Sequence, residues 1–253
     1  MQIIFLGTGT SHGIPCIACS CAICTSSDPK NARTRASIWI RHRHLSLLID
    51  TSTDFRFQAI REGMTSLDAI FFTHAHADHL HGLDDIRPLC RDKTMPVYGN
   101  EATLTEIRSR FNYIFEDTQK GGGKPKIELI SLGNGAVDLG DLAVQPVPIK
   151  HGSLDILGFR LGGFAYLTDC SGIPEESYKL LENLEILVIG ALRDKPHETH
   201  FSVPEALAEI GRIRPERAYF THLCHNLEHQ ELLSRLPPNV EPAYDGQVLD
   251  LGD

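Results

Sequence analysis

The stretch Thr73-His74-Ala75-His76-Ala77-Asp78-His79 limits what this chain can fold into more than any other. An apolar run at 67–72 leads into it and reads as a buried strand. The chain must turn where that strand ends, so four metal-capable side chains crowd one edge of a sheet. His74 and His76 are two residues apart; in extended backbone they point the same way and can grip one ion. Asp78 and His79 come after the turn has begun and can point towards a second ion. Histidine and aspartate are poor core residues, and a polar cluster taken out of water needs partners. The motif predicts a fold in which strand ends meet at a metal centre.

The rest of the chain can supply such a frame. Its 253 residues suit one large domain, and 42% hydrophobic against 23% charged residues allows a packed core. We expect a single domain over 1–253. A formal charge of −9 speaks against a broad nucleic-acid surface, although bound divalent ions would make the mouth of the site locally positive. No apolar run approaches the ~20 residues of a membrane span. The first strand-like segment is too short for a secretion signal and lacks a basic lead. The expectation is a cytoplasmic protein with no membrane partner, in which seven cysteines suggest metal binding before disulfides.

Four of these cysteines, Cys16, Cys19, Cys21 and Cys24, form a compact knuckle at 16–24 among proline and small residues. Thiolates prefer zinc, and a closed tetrahedral set would be structural. Either all four bind, or three join a distant histidine. Just ahead of them, Gly7-Thr8-Gly9-Thr10-Ser11-His12-Gly13 lacks the spacing of a dinucleotide-binding loop, so a tight turn is expected instead.

Strands are read at 2–6, 37–40, 45–49, 95–98, 126–132, 136–139, 142–149, 157–161, 164–168, 185–192, 217–221 and within 240–251. Helices are read at 54–62, 83–90, 101–110, 174–183 and 226–236. Another starts at the capping box Ser202-Val203-Pro204-Glu205 and runs to about 213. His151, Asp169 and His222 each stand just past an apolar strand, as His74 does. Four strand-end ligands in one chain make a site where strands converge. Asp50, also at a strand end, either orients a metal-bound histidine or caps the next turn. Lys120-Gly121-Gly122-Gly123-Lys124-Pro125-Lys126 reads as a solvated connector.

This order of groups, H-x-H-x-D-H followed by a distant His, an Asp and a last His, resembles the metallo-β-lactamase superfamily. The resemblance implies an α+β chain folded as an αββα sandwich with a two-metal site at one edge. It assigns His74, His76 and His151 to one ion, Asp78, His79 and His222 to the other, and Asp169 to both. Two such ions, manganese or zinc, lie about 3.5–4 Å apart and hold a nucleophilic hydroxide in the gap; Asp78 and His200 are counted as catalytic. A bridging Asp, where the zinc lactamases usually place Cys, fits phosphodiesterases and glyoxalase II-type thioesterases better. His200 resembles the histidine that protonates the leaving oxygen in tRNase Z-like and PhnP-type phosphodiesterases; an alkoxide needs such an acid and a thiolate does not. His197 is the second candidate for that role.

The segment 13–24 is similar to the N-terminal zinc segment of the PhnP family. This likeness implies a structural zinc held by Cys19, Cys21, Cys24 and His225, and leaves Cys16 outside. The stretch Ala191-Leu192-Arg193-Asp194 departs from the PhnP pattern. The expected function is a dinuclear-metal phosphodiesterase for small cyclic or nucleotide-like phosphodiesters. Nucleic acid is not an expected partner, and a homodimer is compatible with the chain. A tRNase Z-like endonuclease would want a long basic arm, which residues 120–126 offer only faintly. A glyoxalase II-like thioesterase or lactonase is the further alternative.

Overall fold

The computed structural model describes residues 1–117 and 123–252. Six strands build most of a first sheet: β1 (Gln2–Gly7), β2 (Ser37–His42), β3 (Leu45–Ile49), β4 (Ala69–Phe71), β5 (Met95–Gly99) and β6 (Ile127–Ser131). Seven build a second: β7 (Val137–Asp138), β8 (Ala143–His151), β9 (Leu154–Leu161), β10 (Phe164–Leu167), β11 (Ile186–Gly190), β12 (Arg217–Thr221) and β13 (Val240–Pro242). The last strand, β14 (Val248–Asp250), returns to the first sheet beside β1. The helices are α1 (Phe55–Arg61), α2 (Ala77–Leu80), α3 (Glu101–Arg110), α4 (Asn112–Phe115), α5 (Val203–Ile213) and α6 (His229–Arg235).

The side-chain pattern explains the layering. Ile3 and Phe5 of β1 face the second sheet, while Ile4 and Leu6 face helices on the outside. In β4, Phe71 points inward and Ile70 outward. In β10, Phe164 and Tyr166 point inward and Ala165 and Leu167 outward. Strands buried on both faces read as continuous apolar runs, which is how they look in the sequence. The result is an αββα sandwich: one apolar layer between the sheets and one under the helices on each side.

Parallel pairing then decides where the site falls. β3, β4, β5 and β6 pair in parallel, as do β10, β11, β12 and β13. β8 is antiparallel to β9, which is antiparallel to β10, so β8 runs the same way as β10. Carboxyl ends from both sheets therefore open on one edge, where ligands bind in open α/β sheets.

Some expected elements differ. Residues 83–90 form a 3-10 helix rather than an α-helix; Pro88 inside it has no N–H to give to a regular ladder. The helix expected at 174–183 is also 3-10, over Glu175–Leu181, and Ser177 Oγ ties it to the Pro148 carbonyl of β8 at 2.6 Å. The helix expected from 226 starts at His229, because Glu228 caps it by accepting from the Glu231 amide. Of the basic connector, Lys120, Gly121 and Gly122 lie outside the described residues. No helix among the described residues is long and apolar enough to cross a membrane.

Candidate active site

His76 caps α2 and Asp78 and His79 lie within it, while His74, His151, Asp169 and His222 stand at or just past strand ends. Three of the residues that turn the chain there, Asp50, Asp169 and His222, hold left-handed backbone with φ of 64°, 53° and 57°. Aspartate and histidine are among the few side chains that accept this region, and strained residues gather at working sites. Gly190 makes room for one of these turns, since a Cβ there would lie 3.1 Å from the Asp169 amide.

The arrangement brings the expected ligands into two groups. His74, His76, His151 and Asp169 form one, and Asp78, His79, Asp169 and His222 the other; in each, the ligand atoms lie within 4.8 Å of one another. Asp169 belongs to both: its Oδ1 is 3.2 Å from His79 Nε2 and 3.0 Å from His222 Nε2, and its Oδ2 is 3.8 Å from His74 Nε2. Asp78 Oδ2 lies 3.3 Å from His79 Nε2 and 3.5 Å from His222 Nε2. Ligands at roughly 2.0–2.1 Å from a tetrahedral ion stand about 3.3 Å from each other, so the second group is spaced to hold one. The buried Nε2 atoms of His74, His79 and His222 make no hydrogen bond. Orphaned buried nitrogens are costly, and ions in the two cradles would satisfy them.

For His74, His79 and His151 the other ring nitrogen shows why Nε2 is the free one, whereas neither ring nitrogen of His222 is hydrogen-bonded. Thr73 donates its amide and hydroxyl to the Asp50 carboxylate at 2.9 and 2.8 Å. A hydroxyl has one proton, so Thr73 Oγ1 accepts from His74 Nδ1 at 3.0 Å. His79 Nδ1 donates to Asp50 Oδ2 at 2.7 Å, and His151 Nδ1 to the Thr199 carbonyl at 2.7 Å. Asp50 thus orients a candidate ligand rather than capping a turn. Thr168 Oγ1 donates to Asp169 Oδ1 at 2.9 Å. Thr73, Thr168 and Thr199 were not among the expected site residues. A repeated Thr-ligand pair at strand ends, Thr73-His74, Thr168-Asp169 and Thr221-His222, was the available signal.

Electrostatics follow the same geometry. Burial alone would raise the Asp169 carboxyl, but His222 and His79 hold it well below the usual carboxylate range. Burial opposes a charged His79, yet Asp169, Asp78 and Asp50 together lift it well above the usual imidazole value. Burial and the neighbouring His79 push His74 well down. A cation in the cradles would compete with the proton that these carboxylates favour on His79.

Replacing Asp50 with asparagine keeps the shape and removes the charge that orients His79. The Asp50→Asn protein is expected to bind its ions about 10–100-fold more weakly, read by calorimetric titration of metal-stripped protein. Wild-type affinity in that titration would contradict the role given to Asp50.

His200 sits over this centre. Its ring stacks on His222 with centroids 4.9 Å apart and planes at 17°, and lies 4.7 Å from His151. Burial and the neighbouring His222 push its pKa down to about 3. His197 is farther out: it is exposed, 5.1 Å from the His200 ring, and turned towards the Thr199 amide.

The knuckle forms a third group. Cys19, Cys21, Cys24 and His225 converge, with His225 Nδ1 3.3, 3.5 and 3.6 Å from the three sulfurs. Sulfur at about 2.3 Å and nitrogen at about 2.0 Å from a tetrahedral zinc are separated by about 3.5 Å, so these four fit zinc. Cys16 instead turns its sulfur to the Gly13 carbonyl at 3.2 Å and gives its amide to Cys24 Sγ at 3.3 Å. The Cys24 amide on its sulfur is the main cause that lowers Cys21 to about 6, towards the thiolate a metal needs. Cys21→Ser protein is expected to lose one zinc per chain and to melt roughly 5–10 °C lower, by elemental analysis and calorimetry. Unchanged zinc content and melting temperature would remove the zinc from this site.

A sandwich whose paired sheets deliver two groups of metal-capable side chains to one edge has the frame of a metal-dependent hydrolase. The profile of the Beta-lactamase superfamily domain matches residues 46–223. The chain superposes on the crystal structure of a diphosphatase from the PhnP family with a TM-score of 0.93 and 40% identity, covering 99% of this chain and 98% of that one. The chain belongs to the metallo-β-lactamase superfamily and is PhnP-like within it. An octanoyltransferase of Porphyromonas gingivalis is 39% identical over 250 residues, 97% of this chain but 51% of that protein. The chain thus spans about half the length of that relative. Zinc-bound PqqB of Methylobacterium extorquens, at 20% identity, shares the fold with a TM-score of 0.80, covering 99% of this chain and all of that one.

Proposed function

We propose that this protein is a phosphodiesterase acting on small cyclic or nucleotide-like phosphodiesters. One observation carries the reading: the two ligand groups share Asp169, and His200 stacks above them on His222. Two bound ions, zinc or manganese by the softness of this donor set, would supply a water-derived nucleophile at neutral pH and positive charge for the phosphoryl oxygens. The chain's own residues do the rest. Asp169, drawn well below the usual carboxylate range, stays anionic and fixes the spacing of the cradles. Asp50, Thr73 and Thr199 hold three imidazoles with Nε2 turned to the centre.

His200 gives a proton to the departing oxygen. Burial and His222 lower its basicity, so the ring needs an anion nearby to keep its proton, and a phosphodiester supplies one. The PhnP-family diphosphatase supports this reading. A diphosphate bridge, like a phosphodiester, is cleaved at a P–O bond with an oxygen leaving group. The candidate acid favours this over a thioesterase, whose thiolate needs no proton.

The test is a panel on metal-loaded protein: bis-nitrophenyl phosphate, nitrocefin and a glutathione thioester. Cleavage of the first alone is the expected result. Faster turnover of the thioester than of the phosphodiester would replace this reading with the thioesterase one.

A further inference from the structure

We propose that Cys16 and Cys24 are a peroxide-sensitive pair, whose disulfide takes Cys24 away from the knuckle zinc and releases the ion. The inference rests on zinc in the knuckle and is independent of the phosphodiesterase reading. It gives a use to the one knuckle thiol that the ligand set leaves out.

Placement is the first argument. The Cys16 amide donates to Cys24 Sγ at 3.3 Å, so the spare residue sits one hydrogen bond from a ligand sulfur. Its own thiol is engaged only with the Gly13 carbonyl at 3.2 Å, and a thiol is a weak donor that gives up such a contact easily. The Cys24 amide in turn donates to Cys21 Sγ at 3.5 Å, which makes Cys21 the rival partner of Cys24. Cys19 and Cys21 are separated by one residue, too short a span for unstrained disulfide geometry. All four knuckle cysteines are partly exposed, whereas Cys90, Cys170 and Cys224 are buried. Oxidation falls on accessible thiolates that have a resolving thiol beside them.

The chemistry balances with hydrogen peroxide as the oxidant. Cys24 is a ligand and therefore a thiolate. Its sulfur attacks one peroxide oxygen: an S–O bond forms, the O–O bond breaks and hydroxide leaves. The Cys16 thiol then attacks that sulfur: the S–S bond forms, the S–O bond breaks, and the departing oxygen takes the thiol proton and leaves as water. The two sulfurs give up two electrons, and one peroxide becomes one water and one hydroxide. Cys19, Cys21 and His225 remain, an open set that holds zinc less tightly. The loss reaches the fold through Arg33. Its backbone exchanges hydrogen bonds with Ile14 at 2.9 and 2.7 Å, and its guanidinium holds the Cys224 carbonyl at 3.2 Å. His222 keeps a separate anchor, since Leu223 bonds Thr8 and Thr10 at 2.9 and 3.1 Å. The oxidised form should therefore melt lower and keep its rim.

Wild-type and Cys16→Ser protein, both with manganese at the rim so that zinc reports on the knuckle alone, are mixed with an equimolar amount of hydrogen peroxide and a zinc-selective fluorescent indicator. Wild type is expected to release its knuckle zinc. Alkylation of the thiols left free, followed by peptide sequencing, should then find Cys19 and Cys21 labelled and Cys16 and Cys24 unlabelled. A dithiol reductant with added zinc should restore the starting state. Cys16→Ser keeps every zinc ligand but lacks the intramolecular second step, so its release should be at least about tenfold slower. Equal release rates in the two proteins, or a label missing from Cys21 in place of Cys16, overturn the pairing. Wild-type protein that keeps its zinc overturns the switch. Zinc already missing before peroxide overturns the knuckle assignment and the switch with it.

Discussion

His200→Ala is expected to slow hydrolysis of an alkyl phosphodiester by about 10²–10⁴-fold, the usual worth of a positioned proton donor. On a nitrophenyl ester the same substitution should cost less than about tenfold, because nitrophenolate departs without a proton. The contrast between leaving groups identifies the role. His200 stacks on His222, so a purely structural loss would disturb the ligand and slow both esters alike. Equal losses would therefore remove the proton donor and leave His197, 5.1 Å away, as the group to test next.

Asp169→Ala should have the largest effect of any single change. Its two oxygens face His74 on one side and His79 and His222 on the other, so one substitution opens both cradles. It also removes a buried anion that offsets the charge on His79. Metal stoichiometry should fall from two ions at the rim to one or none. Activity should fall about 10³-fold or more, since the ions are asked for several kcal/mol of transition-state stabilisation. Elemental analysis and phosphodiesterase turnover on the same preparation would check this. Two retained rim ions would show that Asp169 does not join the cradles.

Four of the ligands are legible because each is a polar side chain placed where an apolar strand stops, a pattern that survives without knowledge of the fold; His76, Asp78 and His79 are legible from their spacing to His74 instead. His74, His151, Asp169 and His222 all obey it. Leu83–Cys90 was read correctly as helical but not as 3-10, because that choice depends on Pro88 and on packing against the first sheet. Arg33 carried no signal. Arginine reads as surface, yet it is fully buried, and its guanidinium reaches the Cys224 carbonyl at 3.2 Å. That partner is 191 residues away, and no local pattern encodes it.

The two kinds of metal centre stand on different foundations. The rim ligands are anchored by strands buried on both faces, whereas the knuckle has little apolar support and leaves Ile17 96% exposed. A chelator should strip the rim and leave an empty but intact mould that reloads at once on adding metal. The knuckle draws its shape from the cation it encloses, so prolonged chelation that reaches it should unfold the loop, and recovery should then wait on refolding.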